Sequence, residues 1–409
     1  MKRLHVTALL AGCATLAAMG QAGAGGFDRG GVNIDLLFDP SKVATEAGVT
    51  YVSPRRTIKN VDRLPPTGLG QLPDTLGVTP SIDVEGDYTV PRAGFKLNVF
   101  EPVDCLATYS EPYGADANFG TGNAYSPTAV DYSIGTKDYG LACSYKMQIG
   151  KGVARVIGGV SYGEVDAFLS RQTLLAIGNP GLGTFQLSDS AWSWRIGAAY
   201  EIPEIALRAT LLYNARYNYD GLAGTVDTTG FAGQTGGNVL GINPVTASSE
   251  IPQALDFRVQ TGIAPGWLAF GSIRWQEWSK LGIIPISGVI NPVFGTPSSV
   301  SFDLLYRDGW TITGGVGHKF TEAISGVASI TWDRGTSTTS GYQTDTWSFG
   351  AGASFVPNEN LEIRLGGSLG ILTGGSSSFS GTGDTANAVT YDFDDDLVIA
   401  GTASIKLKF

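Results

Sequence analysis

The last stretch of the chain, Leu397-Val398-Ile399-Ala400-Gly401-Thr402-Ala403-Ser404-Ile405-Lys406-Leu407-Lys408-Phe409, alternates on a period of two, with apolar or small residues at odd positions and polar residues at the later even ones. A strand with that pattern has one greasy face and one wet face. In a soluble sandwich the greasy face meets a second sheet, whereas in a bacterial outer-membrane barrel it meets lipid while the wet face lines the lumen. The same division recurs along the chain. Trp192, Trp194, Ile196 and Tyr200 share a side opposite Ser193 and Arg195, and Leu255, Phe257 and Val259 oppose Asp256, Arg258 and Gln260.

Read this way, the sequence predicts strands over residues 46–57, 88–100, 104–112, 129–149, 153–170, 189–201, 204–217, 251–263, 266–279, 308–320, 323–335, 342–356, 360–372 and 396–409. About fourteen is an even number, as a bacterial barrel requires. Every second junction is short, as at Glu101-Pro102, Gly150-Lys151 and Pro265-Gly266, and most of the others are long, which suits periplasmic turns and extracellular loops. Trp267, Trp278, Trp310, Trp332 and Trp347 fall near predicted strand ends, where aromatic girdles sit at the membrane interfaces. The expected fold is all-β, a transmembrane antiparallel barrel of about 14 strands over residues 46–409.

Composition removes the competitors. Charged residues make up 16% and aromatic residues 10%, the reverse of a disordered chain. The 57 glycines in 409 residues follow no three-residue period, so collagen is excluded. A net charge of −10 argues against nucleic acid as a partner. The uncharged, apolar-rich stretch Leu281 to Phe302 is broken by Pro285, Pro292 and Pro297 and cannot be a spanning helix.

Residues 1–24 carry Lys2 and Arg3, an apolar run from Leu4 to Met19 and a small-residue end at Ala22-Gly23-Ala24, the form of a secretory signal peptide. Leu10-Ala11-Gly12-Cys13 offers a competing lipoprotein reading with a shorter apolar core. Residues 25–45 show neither clean alternation nor a helical stripe. A lumen of this size lies between barrels filled by side chains and open channels, so an N-terminal hatch plugging the lumen is the economical reading. A frayed periplasmic tail is the alternative, though it would leave Phe27, Ile34, Leu36, Leu37 and Phe38 in water. Cys105 and Cys143 fall on adjacent predicted strands near the periplasmic end and are expected to form a disulfide.

At the level of the whole mature chain this pattern resembles the FadL and TodX type outer-membrane transporters of long-chain fatty acids and other hydrophobic compounds. The local echoes are Tyr51-Val52-Ser53-Pro54, Tyr109-Ser110-Glu111-Pro112-Tyr113-Gly114, and Ile251-Pro252-Gln253-Ala254-Leu255 leading to Trp275-Gln276-Glu277-Trp278-Ser279. Many members carry an Asn-Pro-Ala hatch segment, where this chain has Asn33-Ile34-Asp35 and Asp39-Pro40-Ser41. The resemblance implies capture of substrate by outer loops, a lumenal site beside the hatch, and sideways exit into the bilayer.

Two loops fit a hydrophobic cargo on their own residues. The 280–307 loop holds Ile283, Ile284, Ile286 and Phe294, and the 171–188 loop holds Leu174, Leu175, Ile177, Leu182, Phe185 and Leu187. Clusters this apolar either form a greasy capture groove or pack on each other as lids. An acid cargo needs a cationic partner in a partly dry lumen. Alternation turns Lys96, Arg195, Arg208, Arg258, Arg274 and Arg364 inward, to contact ligand or to pair with neighbours such as Asp256 and Glu362.

No cofactor or metal is expected, and the acidic run at Asp392, Asp394, Asp395 and Asp396 reads as a solvated loop end. Gly366-Gly367-Ser368-Leu369-Gly370 matches G-x-S-x-G, but it lies within a strand with no downstream histidine, so the chain is not expected to be an enzyme. Expected partners are a fatty acid or other hydrophobic ligand, outer-membrane lipid and lipopolysaccharide, and the barrel-assembly machinery through the strand ending at Phe409, with the protein a monomer. A passive porin for small polar solutes, or a structural or adhesive barrel, is the alternative function.

Overall fold

Hydrocarbon offers no partner to a backbone N–H or C=O, so strands can cross a membrane only if the sheet closes on itself. The computed structural model describes residues 25–63, 78–173, 181–231, 241–290, 296–297, 300–339, 341–378 and 389–409. Fourteen strands form the wall: β1 (Val43–Pro54), β2 (Tyr88–Phe100), β3 (Val103–Ser110), β4 (Asp131–Ile149), β5 (Gly152–Thr173), β6 (Gly181–Ile202), β7 (Leu207–Asn214), β8 (Ala254–Ala264), β9 (Trp267–Gln276), β10 (Gly309–Lys319), β11 (Ile324–Asp333), β12 (Thr346–Asn358), β13 (Leu361–Leu372) and β14 (Asp396–Lys408). Each pairs antiparallel with its neighbour, and β14 returns to β1 in register from Ala44 opposite Lys408 to Pro54 opposite Val398. Among the described residues the fourteen strands close into a ring, and residues 1–24, read above as a signal peptide, fall outside those described.

Alternation places the side chains. On β13, Arg364 is 1% exposed while its neighbour Leu365 is 60% exposed. On β6, Trp192 and Trp194 point outward and Ser193 and Arg195 are buried inside. An apolar outer face with a polar, buried inner face is the inverse of a soluble protein, and it follows from having lipid as the outer solvent. Trp267, Trp310 and Trp347 are exposed near strand ends, as a girdle requires. Trp278 is not. It lies past the end of β9 in a short turn over Trp278–Lys280, where the chain bends inward, and it is 1% exposed.

The extracellular side holds more strand than expected. β6 begins at Gly181, so Leu182, Phe185 and Leu187 belong to a strand rather than a loop, with Phe185 turned inward and Leu182 outward. The upper part of β6 pairs with a strand over Tyr217–Gly230, which pairs in turn with one over Ile242–Ile251. Segments Arg56–Arg63, Thr79–Val84, Gly375–Ser378 and Val389–Phe393 form a separate four-stranded sheet. Its apolar face packs Ile58, Val61 and Phe393 into one cluster with Phe119 and Tyr125.

Cys105 and Cys143 stand directly opposite on β3 and β4 and are joined by a disulfide. The N-terminal stretch ends at Ser41-Lys42 rather than at residue 45, because β1 begins at Val43. Among its residues, Asp35–Phe38 form one tight turn of 3₁₀ helix.

Candidate functional site

Residues 25–42 run inside the wall, held at both ends. Near the start, the Gly114 amide donates to the Phe27 carbonyl at 2.7 Å and the Arg29 amide to the Pro112 carbonyl at 2.9 Å, so Phe27–Arg29 adds a short ladder to the chain beyond β3. Glycine is required at two points. Gly26 has φ +59° and a Cβ there would lie 2.5 Å from the Trp278 indole; Gly31 has φ +61° and a Cβ there would collide with the Arg274 guanidinium.

Farther along, acidic residues of the segment meet basic residues of the wall. Arg274 Nε lies 2.9 Å from Asp28, Arg258 Nη1 3.3 Å from Asp35, and Lys406 Nζ 3.1 Å from Asp39. Lys96 Nζ donates to the Ser41 carbonyl at 2.5 Å. Burial pushes the Asp39 carboxyl up, but Lys406 and the Ser41 hydroxyl and amide outweigh it, and the net shift is downward. Ile34, Leu36, Leu37 and Phe38 pack as a cluster on Leu106, Ile157 and Leu212 of the wall, and Arg208 lies over the Phe38 ring at 4.7 Å.

Residues of this segment border an outer and an inner cavity. The outer one, about 100 Å³, is almost wholly apolar and is lined by Val165, Leu169, Phe185, Tyr219, Ile284 and Phe302, with Phe27 of the segment among its walls. Ile284 and Ile286 reach it from a hairpin of Ile283–Ile286 on Val300–Asp303. Ile283 points away and is 45% exposed. Ile286 and Val289 also join the buried extracellular cluster. Leu174, Leu175, Ile177 and Phe294 lie outside the described residues. Around this cluster Tyr132 and Tyr342 share a hydrogen bond of 3.0 Å between their hydroxyls, and burial pushes the Tyr391 phenol up to about 12, so it remains protonated.

The inner cavity, about 160 Å³, has a mixed polar and apolar lining and is bounded by residues of the segment together with Arg92, Arg208, Arg258, Arg274 and Arg364. Most of the inward cations expected from alternation are already paired. Arg274 also meets Asp256 at 3.3 Å, Arg208 meets Asp35 at 3.7 Å, and Arg364 meets Glu362 at 2.7 Å and Glu46 at 3.0 Å. Arg195 pairs with Asp138 at 3.6 Å, and Lys96 with Asp104 at 3.1 Å; neither lines this cavity. Sequence reasoning missed the acidic partners Asp28, Asp35 and Asp39, whose contacts depend on how the segment threads the lumen. It also missed Arg92, although the parity of β2 that turns Lys96 inward applies equally to Arg92.

The acidic run at the top of β14 is engaged rather than free. Asp396 pairs with Arg56 at 3.3 Å and Asp394 with Lys59 at 2.5 Å. Among the described residues, no group of three or more His, Cys, Asp or Glu is arranged to hold a metal ion.

The wall is interrupted at one place next to the segment. β2 pairs with β1 from Tyr88 to Leu97, but with β3 only from Arg92 onward, because β3 ends at Ser110 and Glu111-Pro112-Tyr113 leave the sheet. Pairing resumes above at the Glu85–Asn118 bridge. Behind the gap, Arg29 stacks over the Tyr88 ring at 4.3 Å.

Comparison with known proteins agrees with this architecture. A Pseudomonas aeruginosa FadL homologue superposes with a TM-score of 0.75 at 16% identity, over 96% of this chain and 98% of that one. The Pseudomonas putida toluene transporter TodX gives 0.64 at 11% identity over 97% and 98%, and the Ralstonia pickettii toluene transporter TbuX gives 0.62 at 13% over 96% and 97%. No curated protein sequence matches the chain. The sequence profile of the outer membrane protein transport protein family matches residues 36–401. The chain therefore belongs to the OMPP1/FadL/TodX family of bacterial outer-membrane β-barrel transporters of hydrophobic compounds, and is a transporter rather than an enzyme.

Proposed function

We propose that this protein carries long-chain fatty acids, or hydrophobes of similar length, inward across the outer membrane by binding and diffusion without energy coupling. The observation that carries the reading is the outer cavity, an apolar site lined by Ile284 and Phe302 of the extracellular hairpin with Phe27 of the N-terminal segment in its wall. An acyl chain loses its hydration cost there, at about 0.8 kcal/mol per buried CH₂. Residues 25–42 act as the hatch, which the cargo must pass, and the gap in the wall beside Pro112 is the exit to the bilayer. Ile34, Leu36, Leu37 and Phe38 seat the hatch, while Phe27 touches cargo. The outward face meets outer-leaflet lipid and lipopolysaccharide, the strand ending at Phe409 engages the assembly machinery, and the barrel works as a monomer.

The test is uptake of labelled palmitate by cells with and without the protein, combined with conductance in a planar bilayer. The proposal expects palmitate uptake to depend on the protein and steady ion current to be small. A large, unplugged current without palmitate uptake would establish the general porin instead, and neither property would leave a structural barrel.

A further inference from the structure

We propose that a groove on the outside of the wall, across β4, β5, β6 and the strand over Tyr217–Gly230, binds the neutral sugars of the lipopolysaccharide core. This rests on the reading above that the outward face meets lipopolysaccharide, and it is independent of what the lumen carries.

Hydrocarbon marks the outer face with apolar residues, and on these strands the mark ends below the groove. Tyr109, Tyr139, Tyr162 and Trp192 stand side by side on β3 to β6, with successive ring centroids 5.4, 6.5 and 5.3 Å apart, and form an outer aromatic girdle. Two residues farther up, the outward positions become Lys137, Glu164 and Ser190, which are paired across β4, β5 and β6. Above them come Gly135, Asp166 and Ser188, and then Phe168, Gln186 and Thr225. Outward carboxylates at Glu164 and Asp166 are incompatible with hydrocarbon, so this part of the wall stands clear of it. Four to six residues span roughly 13–20 Å along a strand, and barrel tilt turns that into about 10–15 Å above the girdle, the level of the outer-leaflet sugars.

The two upper rows enclose about 450 Å³, within the roughly 300–1,000 Å³ usual for a ligand site. Glycine opens the floor, since a Cβ at Gly135 would meet nothing within 4 Å. Ser133 donates its hydroxyl to Asp116 at 2.5 Å, whereas Asp166, Gln186, Ser188 and Thr225 have no side-chain partner among the described residues. A carboxylate, an amide and two hydroxyls supply both donors and acceptors, as the vicinal hydroxyls of a sugar require. Phe168 adds a half-buried ring, an apolar surface for the C–H face of the same sugar. A phosphate would instead face Asp166 as a like charge, which favours the neutral core sugars over the phosphates of lipid A. The occupant follows from place: the groove continues the lipid-facing wall directly above its girdle, and lipopolysaccharide is the lipid whose sugars stand there.

The experiment titrates the purified full chain in detergent with two lipopolysaccharides, one with a complete core and one deep-rough form truncated next to lipid A, and reads bound lipid by native mass spectrometry. The wild type should bind the complete form at least tenfold more tightly. Asp166→Ala combined with Gln186→Ala should abolish that preference while leaving the affinity for the deep-rough form unchanged, at equal amounts of folded barrel judged by heat-modifiable migration. Equal affinity of the wild type for the two forms, or a preference that survives in the double variant, overturns the assignment. Should the double variant not fold, competition on the wild type decides: free core oligosaccharide without lipid A must displace the complete form and not the deep-rough form, and failure to do so overturns the assignment. A wild type that binds neither form refutes the lipopolysaccharide contact itself, a result separable from failure of the groove.

Discussion

The Phe27 ring stands edge-on to the Trp278 indole, with centroids 5.8 Å apart and planes at 80°, and Tyr306 approaches the other side of Phe27 at the same distance. One aromatic side chain of the N-terminal segment is thereby fitted between two from the extracellular part of the barrel. Phe27 also lines the apolar outer cavity.

Removing that ring should open the path. Phe27→Ala leaves a void in a site that is 5% exposed, a change that costs roughly 3–5 kcal/mol in well-packed interiors. The segment should detach at its start while the wall, closed by its own ladders, stays folded. Planar-bilayer recording should find a higher steady conductance than the wild type, with unchanged heat-modifiable migration. Unchanged conductance would show that Phe27 seals nothing.

The glycine turns make a second, independent demand. At Gly31 an alanine must adopt φ +61°, which costs about 1–2 kcal/mol, and it also meets the Arg274 guanidinium. Gly31→Ala should weaken the Arg274 to Asp28 contact and expose the segment to added protease. Gly401→Ala is the control, because a Cβ there meets nothing within 4 Å. Equal protease sensitivity of the two variants would rule out the seating role.

Acid should release the lower end of the segment. The Asp39 carboxyl has its folded-state value below the ordinary one, so its contribution is fully present above the ordinary carboxylate range and is lost as pH falls through the lowered value. Hydrogen exchange at residues 35–41 should be slow and constant near neutrality and rise only below the normal carboxylate range. Asp39→Asn should be fast at neutral pH as well, since Lys406 loses its charged partner there.

The disulfide has a separate role. Joining Cys105 to Cys143 closes a separation of 38 residues that contains the end of β3 and the chain docked on Phe27, and the chain-entropy relation gives about 4 kcal/mol for a loop of that length. Cys105→Ser combined with Cys143→Ser should lower the denaturation midpoint and leave conductance unaltered. Two free thiols in the native protein, found by non-reducing mass analysis, would remove the argument.

How far the sequence reaches depends on which solvent each residue faces. The wall was legible because lipid on one side and water on the other impose a period of two on every strand, and the six short turns, such as Glu101-Pro102, follow from it. Trp278 was misread because an aromatic residue at a strand end carries the same local signal whether the chain next turns toward lipid or toward the lumen. Residues 181–188 read as loop because Gly181 and Gly183 blur an alternation that continues through them. The candidate site was half legible. Parity placed the arginines inside, but their pairing with Asp28, Asp35 and Asp39 is a long-range matter of threading, invisible to any local pattern.

Two adjacent residues test the outer cavity with a built-in control. Ile284 lines the cavity, while Ile283, one position earlier in the same hairpin, points away and is 45% exposed. An aspartate at 284 places an unpaired carboxylate against an apolar lining, at a cost of several kcal/mol to the charge, to any hydrophobic cargo that must share the space, or to both. An aspartate at 283 remains hydrated. Ile284→Asp should therefore reduce uptake of palmitate and hexadecane together, by tenfold or more, whereas Ile283→Asp should stay within about twofold of wild type. If the two aspartates act alike, the hairpin serves as a cover and cargo enters elsewhere.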